Sequence, residues 1–336
     1  TRVRLSAWHL VMMAILVVVV PQILYLVSRN VNVLGDGPIV RFVSDTFNHG
    51  SPGNCGLPAN AACQAGLRPT VARFAPAIQA LVWIQALALL LWLHWGERRA
   101  KRLAYLAAWL AAAVATMSKG PAGLGLPVLA ALAWVLLSKR WGELLKMEIP
   151  AGLLVLAMVV LPWFVAMYVR HGQPFTDRLL FHDMFKRAFK HVHDTNSGVD
   201  TSFRYYVWQL GYATFPWVGL VPVALVRWLR KGRVDAETLS AATLCSWFLI
   251  AFALFSLMGT KFHHYILPAV PPLAMLTGLL LSDTMKRDDG ADADTDRVML
   301  GALFVGAAML TLIVGRDLAG GTEGQPGPIR LLHLFT

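Results

Sequence analysis

Charge is scarce in this chain, and negative charge is the scarcer kind: 15% of 336 residues are charged, with 19 Asp plus Glu against 30 Lys plus Arg. With 57% of its residues apolar, the chain cannot clothe an ordinary water-soluble domain of this length. There is no internal repeat, no low-complexity tract and no small-residue cleavage site after the first apolar run, so that run does not read as a secretory signal. The net charge of +11 invites a nucleic-acid partner. No groove-entering or base-stacking motif accompanies it, so nucleic acid is excluded.

What the sequence does have is apolar blocks of roughly 17 to 25 residues, the length a helix needs to cross about 30 Å of hydrocarbon at about 1.5 Å per residue. They fall at 5–27, 77–96, 103–117, 121–138, 151–169, 206–228, 239–258, 265–281 and 298–315. The expected fold is all-α, a polytopic transmembrane bundle of about nine spans making one domain over 1–336. With Thr1 in place of Met, the chain is expected to be a segment of a longer protein, and Lys286 to Asp296 reads as a solvated charged linker.

Basic residues in short connections set the orientation. Arg98, Arg99, Lys101 and Arg102, then Lys139, Arg140 and Lys146, then Arg227, Arg230, Lys231 and Arg233, then Lys286, Arg287 and Arg297 mark cytoplasmic loops. Alternation then sends 28–76, 118–120, 170–205 and 259–264 outside. Cys55 and Cys63 lie in the first outside loop, where an oxidising compartment favours a local disulfide. A zinc site would need two more ligands, and only His49 is near. Cys245, inside a span, reads as a small buried apolar residue.

The outside loop 170–205 departs from the charge rule. It carries Arg170, Arg178, Lys186, Arg187, Lys190 and Arg204 with four histidines. Phe181, Met184, Phe185 and Ala188 recur at helical spacing, which lays a short interfacial helix with cations on its polar side. The bland alternative is a surface helix touching lipid head groups. Two further outside turns bring a cation to a helix end: Met117-Ser118-Lys119-Gly120-Pro121 and Gly259-Thr260-Lys261-Phe262-His263-His264-Tyr265. Each lysine alone could simply snorkel. Three loops delivering cations to one face point to an anionic group, because unpaired charge in a poorly hydrated place is costly. The acids of the outside loops include Asp36, equally a turn residue in Gly35-Asp36-Gly37-Pro38. A secondary transporter would place ionisable residues midway along its spans. Pro127, Pro162, Pro222 and Pro271 break the spans without any such acid.

These motifs resemble a family. Ser118-Lys119-Gly120-Pro121, Leu161-Pro162-Trp163-Phe164 leading to Arg170-His171-Gly172, Phe185-Lys186-Arg187, Tyr205-Tyr206 with Phe215-Pro216-Trp217, and Lys261-Phe262-His263-His264-Tyr265-Ile266-Leu267-Pro268 are similar in order and spacing to bacterial membrane glycosyltransferases of the GT-C superfamily. These are the protein O-mannosyltransferase-like and lipid A aminoarabinose transferase-like enzymes, and the match runs from about residue 15 to 281.

The resemblance implies an inverting transfer of a sugar from a polyprenyl-phosphate-linked donor to a lipid or protein acceptor, on the outer face of a bacterial inner membrane. Neither a nucleotide sugar nor another cofactor is implied. Arg187 corresponds to the arginine that binds the lipid phosphate and Tyr265 to the tyrosine near the donor. Lys186, Lys119, Lys261, His264 and Arg29 fall in motifs of the same face. The family's catalytic aspartate belongs to a first outside loop expected to lie ahead of this segment. Asp36 is the acid that follows the family-like stretch Pro21 to Arg29 here, after a longer interval. A non-catalytic protein that binds or flips the same lipid carrier is the alternative from another class.

Overall fold

A computed structural model of the protein describes residues 6–31, 39–40, 42, 69–173, 176–177, 179, 181, 203–215, 217–230, 236–259, 261–285 and 293–319. Its elements are α1 (Ala7–Ser28), α2 (Pro69–Leu93), α3 (Ala100–Lys119), α4 (Pro121–Ser138), a 3₁₀ turn (Trp141–Lys146), α5 (Ile149–His171), α6 (Arg204–Ala213), α7 (Leu220–Arg230), α8 (Ala236–Leu257), a 3₁₀ turn (His263–Ala269), α9 (Val270–Met285) and α10 (Ala293–Ala319). No strand occurs among the described residues; Val31 and Val40 form one isolated bridge. The all-α, polytopic class read from the sequence holds.

Among the described residues, six stretches are long and apolar enough to cross a bilayer: Ala7–Ser28, Arg73–Leu93, Pro121–Ser138, Ile149–Val169, Ser240–Leu257 and His263–Thr284. The other three sequence spans take different forms. The run 103–117 lies in α3, an alanine-rich helix with Lys101, Arg102 and Lys119 at its ends. The run 206–228 is divided into α6 and α7, each of about half the length a crossing needs. The run 298–315 lies in α10, whose apolar stretch is Met299–Leu312. The interfacial helix expected at 179–190 lies largely outside the described residues, as do Asp36, Cys55, Cys63, Lys186 and Arg187.

Many large apolar side chains face outward, Val17, Leu24, Leu137, Phe304 and Leu312 among them. Water would not tolerate that surface, whereas lipid is its natural solvent. This is a multi-pass membrane protein. Prolines 21, 76, 127 and 162 sit inside helices, as membrane helices allow when neighbours satisfy the freed carbonyl.

The chain forms two compact units, residues 1–129 with 139–193, and residues 130–138 with 194–336. In the first, buried residues recur at steps of three and four: Met12, Ile15, Val19, Ile23 and Leu26 in α1, Ala80, Trp83, Leu87 and Leu90 in α2, Leu103, Leu106, Leu110 and Ala113 in α3. Val155, Met158 and Val159 of α5 complete this core. That period keeps one stripe of each helix on its neighbours. Glycines bring backbones together where a side chain would collide. A Cβ on Gly123 would lie 2.3 Å from the carbonyl of Ala115, and one on Gly152 would lie 2.2 Å from the Trp109 ring.

In the second unit, Leu220, Ala224 and Trp228 of α7 meet Ala241, Leu244 and Cys245 of α8, Leu276 and Leu280 of α9, and Ala302 of α10. Cys245 is buried with a free thiol, as its position in a span led us to expect. Gly219 fits against α10, where a Cβ would come 2.0 Å from the Ala302 carbonyl oxygen. Arg227 of α7 donates to Asp283 of α9 at 2.9 Å.

One end of the first unit is closed by ion pairs. Arg102 bridges two acids, Glu97 at 2.6 Å and Glu148 at 2.8 Å, with a second and shorter bond to Glu148. Arg99 also pairs with Glu97, at 2.8 Å. Glu143 pairs with Lys101 and, at 2.9 Å, with Lys146. The Trp8 indole donates to the carbonyl of His94 at 2.6 Å, and His94 Nε2 lies 3.7 Å from Glu148. The start of α1, the end of α2 and the starts of α3 and α5 are thereby tied together. The Arg99 side chain holds the Glu97 carboxyl well below the usual carboxylate range, and hydrogen bonds from Arg102 and Lys101 do the same for Glu148 and Glu143.

Candidate functional site

The opposite end of the first unit carries two of the sequence-predicted residues. Arg29 caps the C-terminus of α1, with Nη2 donating to the Tyr25 hydroxyl at 2.6 Å and the guanidinium 4.6 Å from the Tyr25 ring centroid. Lys119 is the last residue of α3, exposed, and the turn after it is set by Gly120. The Gly120 φ of +67° is a left-handed geometry that costs other residues strain, and its N–H donates to Thr116 at 2.8 Å. The close fit of Gly123 on Ala115 sets the first turn of α4 against the last turns of α3, so the Ser118-Lys119-Gly120-Pro121 motif is a tight corner with an exposed lysine.

At this same end, α2 and α5 leave an apolar hollow of about 390 Å³ lined by Val71, Phe74, Ala75, Ile78, Gln79, Val165 and Val169. Its one polar lining residue, Gln79, accepts a hydrogen bond from the Trp83 indole at 3.4 Å. Hydrocarbon is the ligand such a lining suits.

The second unit brings Lys261, His264 and Tyr265 together with Tyr206, an aromatic residue to which the sequence motif alone assigns no role. Lys261 is only 2% exposed. Its ammonium donates to the carbonyls of Ser256 at 2.6 Å and Met258 at 2.8 Å, with Phe255 at 3.5 Å, and stands 5.6 Å from the centroid of the buried Tyr206 ring. Lysine at a helix C-terminus satisfies carbonyls that have no intrahelical donor and meets the negative end of the helix dipole. Burial pushes the Lys261 pKa down. The cation thus closes α8 and fixes the start of the next segment.

That segment is a compact aromatic hook. Phe262 and Tyr265 have ring centroids 5.0 Å apart, His264 lies 4.9 Å edge-on to Tyr265, and Phe255 lies 6.2 Å from Tyr265. The Tyr265 N–H donates to the Phe262 carbonyl at 3.0 Å, opening the 3₁₀ turn that leads into α9. His263 and His264 are exposed and Tyr265 half-buried. The hook offers an imidazole and a phenol at its surface, both able to hydrogen-bond a polar ligand. Among the described residues no group of three or more His, Cys, Asp or Glu could hold a metal ion.

The fold defines a class, the polytopic helical membrane proteins that resemble GT-C glycosyltransferases, and comparison with known proteins bears that resemblance out. No family model matches the chain. It is 32% identical over 237 residues to an undecaprenyl phosphate-alpha-4-amino-4-deoxy-L-arabinose arabinosyl transferase of Pseudomonas paraeruginosa, covering 68% of this chain and 40% of that protein. It is 35% identical over 211 residues to a second transferase of the same description from Pseudomonas fluorescens, covering 62% and 36%. Among solved structures, the crystal structure of ArnT from Cupriavidus metallidurans bound to undecaprenyl phosphate matches with a TM-score of 0.53 at 21% identity, over 76% of this chain and 44% of that one. The chain therefore spans about 40% of the length of the curated relatives it matches.

Proposed function

We propose that this chain belongs to the membrane machinery of a glycosyltransferase that moves a sugar from a polyprenyl-phosphate-linked donor to a lipid or protein acceptor. The observation that carries the reading is the 32% identity over 237 residues to a transferase named for undecaprenyl phosphate-linked aminoarabinose. We take its residues 1–336 as one transmembrane portion of a larger enzyme, inserted in a bacterial inner membrane with 28–76, 118–120, 170–205 and 259–264 on the outer face.

The donor phosphate is assigned to Arg187 and Lys186, with Lys119 and Arg29 supplying further positive charge. Tyr265 and His264 stand for the sugar side, held by the Lys261 cap. Asp36 is kept as the candidate base within this chain. Transfer with inversion has the acceptor oxygen bond the sugar's anomeric carbon as that carbon's bond to the phosphate oxygen breaks. Negative charge then builds on the departing lipid phosphate. Cations fixed in a dry place stabilise that charge more in the transition state than before it. The apolar hollow between α2 and α5 suits a stretch of isoprenoid chain.

The test is binding of undecaprenyl phosphate to the protein in nanodiscs, with undecaprenol as the uncharged comparison and with Arg187→Ala and Lys119→Ala. A phosphate preference lost in either variant is the expected result. Equal binding of phosphate and alcohol by the unmodified protein would overturn the reading.

A further inference from the structure

Seven cations mark the two connections at the closed end of the first unit, and the structure divides them. Arg99, Lys101, Arg102 and Lys146 are taken by Glu97, Glu143 and Glu148. Arg98, Lys139 and Arg140 form no ion pair with any described residue, and all three are exposed. The Arg140 carbonyl accepts the Glu143 N–H at 2.9 Å, which sets Arg140 at the head of the turn that carries the Lys101–Glu143 pair. Lys139 holds a left-handed φ of 55°, rare for a residue with a side chain, and this turns the backbone out of α4 into the 3₁₀ turn.

The same turn exposes apolar groups. Trp141 is 56% exposed and Leu145 91%, so both present apolar surface outward on a segment otherwise rich in charge. Ile149 and Leu153 of α5, which begins directly after the turn, are also exposed, so the patch runs on into a lipid-facing helix surface. A bulky indole, a fully presented leucine and unneutralised cations at the mouth of a membrane helix match the headgroup layer: apolar tips enter the acyl boundary and the cations meet phosphate.

We propose that Lys139 and Arg140, with Trp141 and Leu145, form a docking site for an anionic phospholipid at this end of the first unit. The acids mark the site by contrast, since Lys101 and Lys146 each hold an ion pair with Glu143 while Lys139 and Arg140 hold none among the described residues. The proposal does not rest on the glycosyltransferase reading.

The test places the full protein in nanodiscs and measures quenching of Trp141 by brominated phosphatidylglycerol and by brominated phosphatidylcholine, read as the difference between the protein and Trp141→Phe. Stronger quenching by phosphatidylglycerol is expected. Arg140→Gln should cut that preference about fivefold, the effect of one cation near an anionic surface. Lys146→Gln, which removes an equal charge already engaged by Glu143, should leave the preference unchanged, and Leu145→Ser should weaken quenching by both lipids. Equal quenching by the two lipids, or equal losses in Arg140→Gln and Lys146→Gln, would overturn the proposal in favour of diffuse surface charge.

Discussion

The molecule satisfies poorly hydrated cations in two ways. At the closed end of the first unit, Arg102 is answered by carboxylates, Glu97 and Glu148. In the second unit, Lys261 is answered by backbone carbonyls at the end of α8 and by the face of Tyr206. A carboxylate cancels a charge and ties together segments distant in sequence. Carbonyls leave the net charge in place and tie the lysine to its own neighbourhood. The first arrangement is a clamp between helices; the second keeps a positive charge behind an aromatic hook.

Removing each cation should separate these roles. Lys261→Met has the largest expected effect. It leaves two well-placed carbonyls without their donor in a buried position, a loss of about 3 kcal/mol on the scale of broken buried hydrogen bonds to charge. Thermal unfolding in detergent should fall accordingly, and Lys261→Arg should recover part of the loss because a guanidinium can still reach carbonyls. A methionine variant as stable as the parent would remove the cap from the account.

Arg102→Met should cost less, about 2 kcal/mol, because the side chain is 27% exposed and water screens the acids it abandons. The double-mutant cycle of Arg102→Met with Glu148→Gln should show coupling, since the two share a bidentate contact. Additive losses would mean that the clamp contributes nothing as a clamp.

Acid should weaken the clamp while sparing the cap. Glu97, Glu148 and Glu143 all have folded-state pKa values lowered from the ordinary 4.5. A depressed carboxylate contributes stability that is fully present above its unfolded value and is lost as pH falls toward the folded one. Unfolding temperature should therefore hold steady down to about pH 4.5 and decline below it, with a shallower decline in Glu97→Gln. An identical decline in that variant would place the acid sensitivity elsewhere.

Much of this fold was legible in the sequence because lipid imposes a length, and an apolar run of that length leaves few alternatives. The division of 206–228 was not. Counting apolar residues passes over the turn before Gly219, whose need for glycine arises from its contact with Ala302, a residue 83 positions away. The charge rule weighs only the lysines and arginines of the basic connections, so it gives Glu97, Glu143 and Glu148 no part. Their role appears only when the connections meet in space. Lys261 was legible as a cation at an outer turn, but its carbonyl partners depend on how the chain folds back past Leu257. Tyr206 stood in a quoted motif, and nothing in its spacing tied it to Lys261.

The smallest expected effect tests how far the clamp extends. Lys146 lies three residues from Glu143, is 59% exposed, and shares that carboxylate with Lys101. An exposed pair contributes little because water screens it, and its remaining partner keeps Glu143 satisfied. Lys146→Gln should leave the unfolding temperature within error of the parent, whereas Lys101→Gln should lower it measurably by cutting the tie between α3 and the 3₁₀ turn. If Lys146→Gln destabilises as much as Lys101→Gln, Glu143 needs both cations, and the clamp is a cooperative network whose members cannot be ranked by exposure.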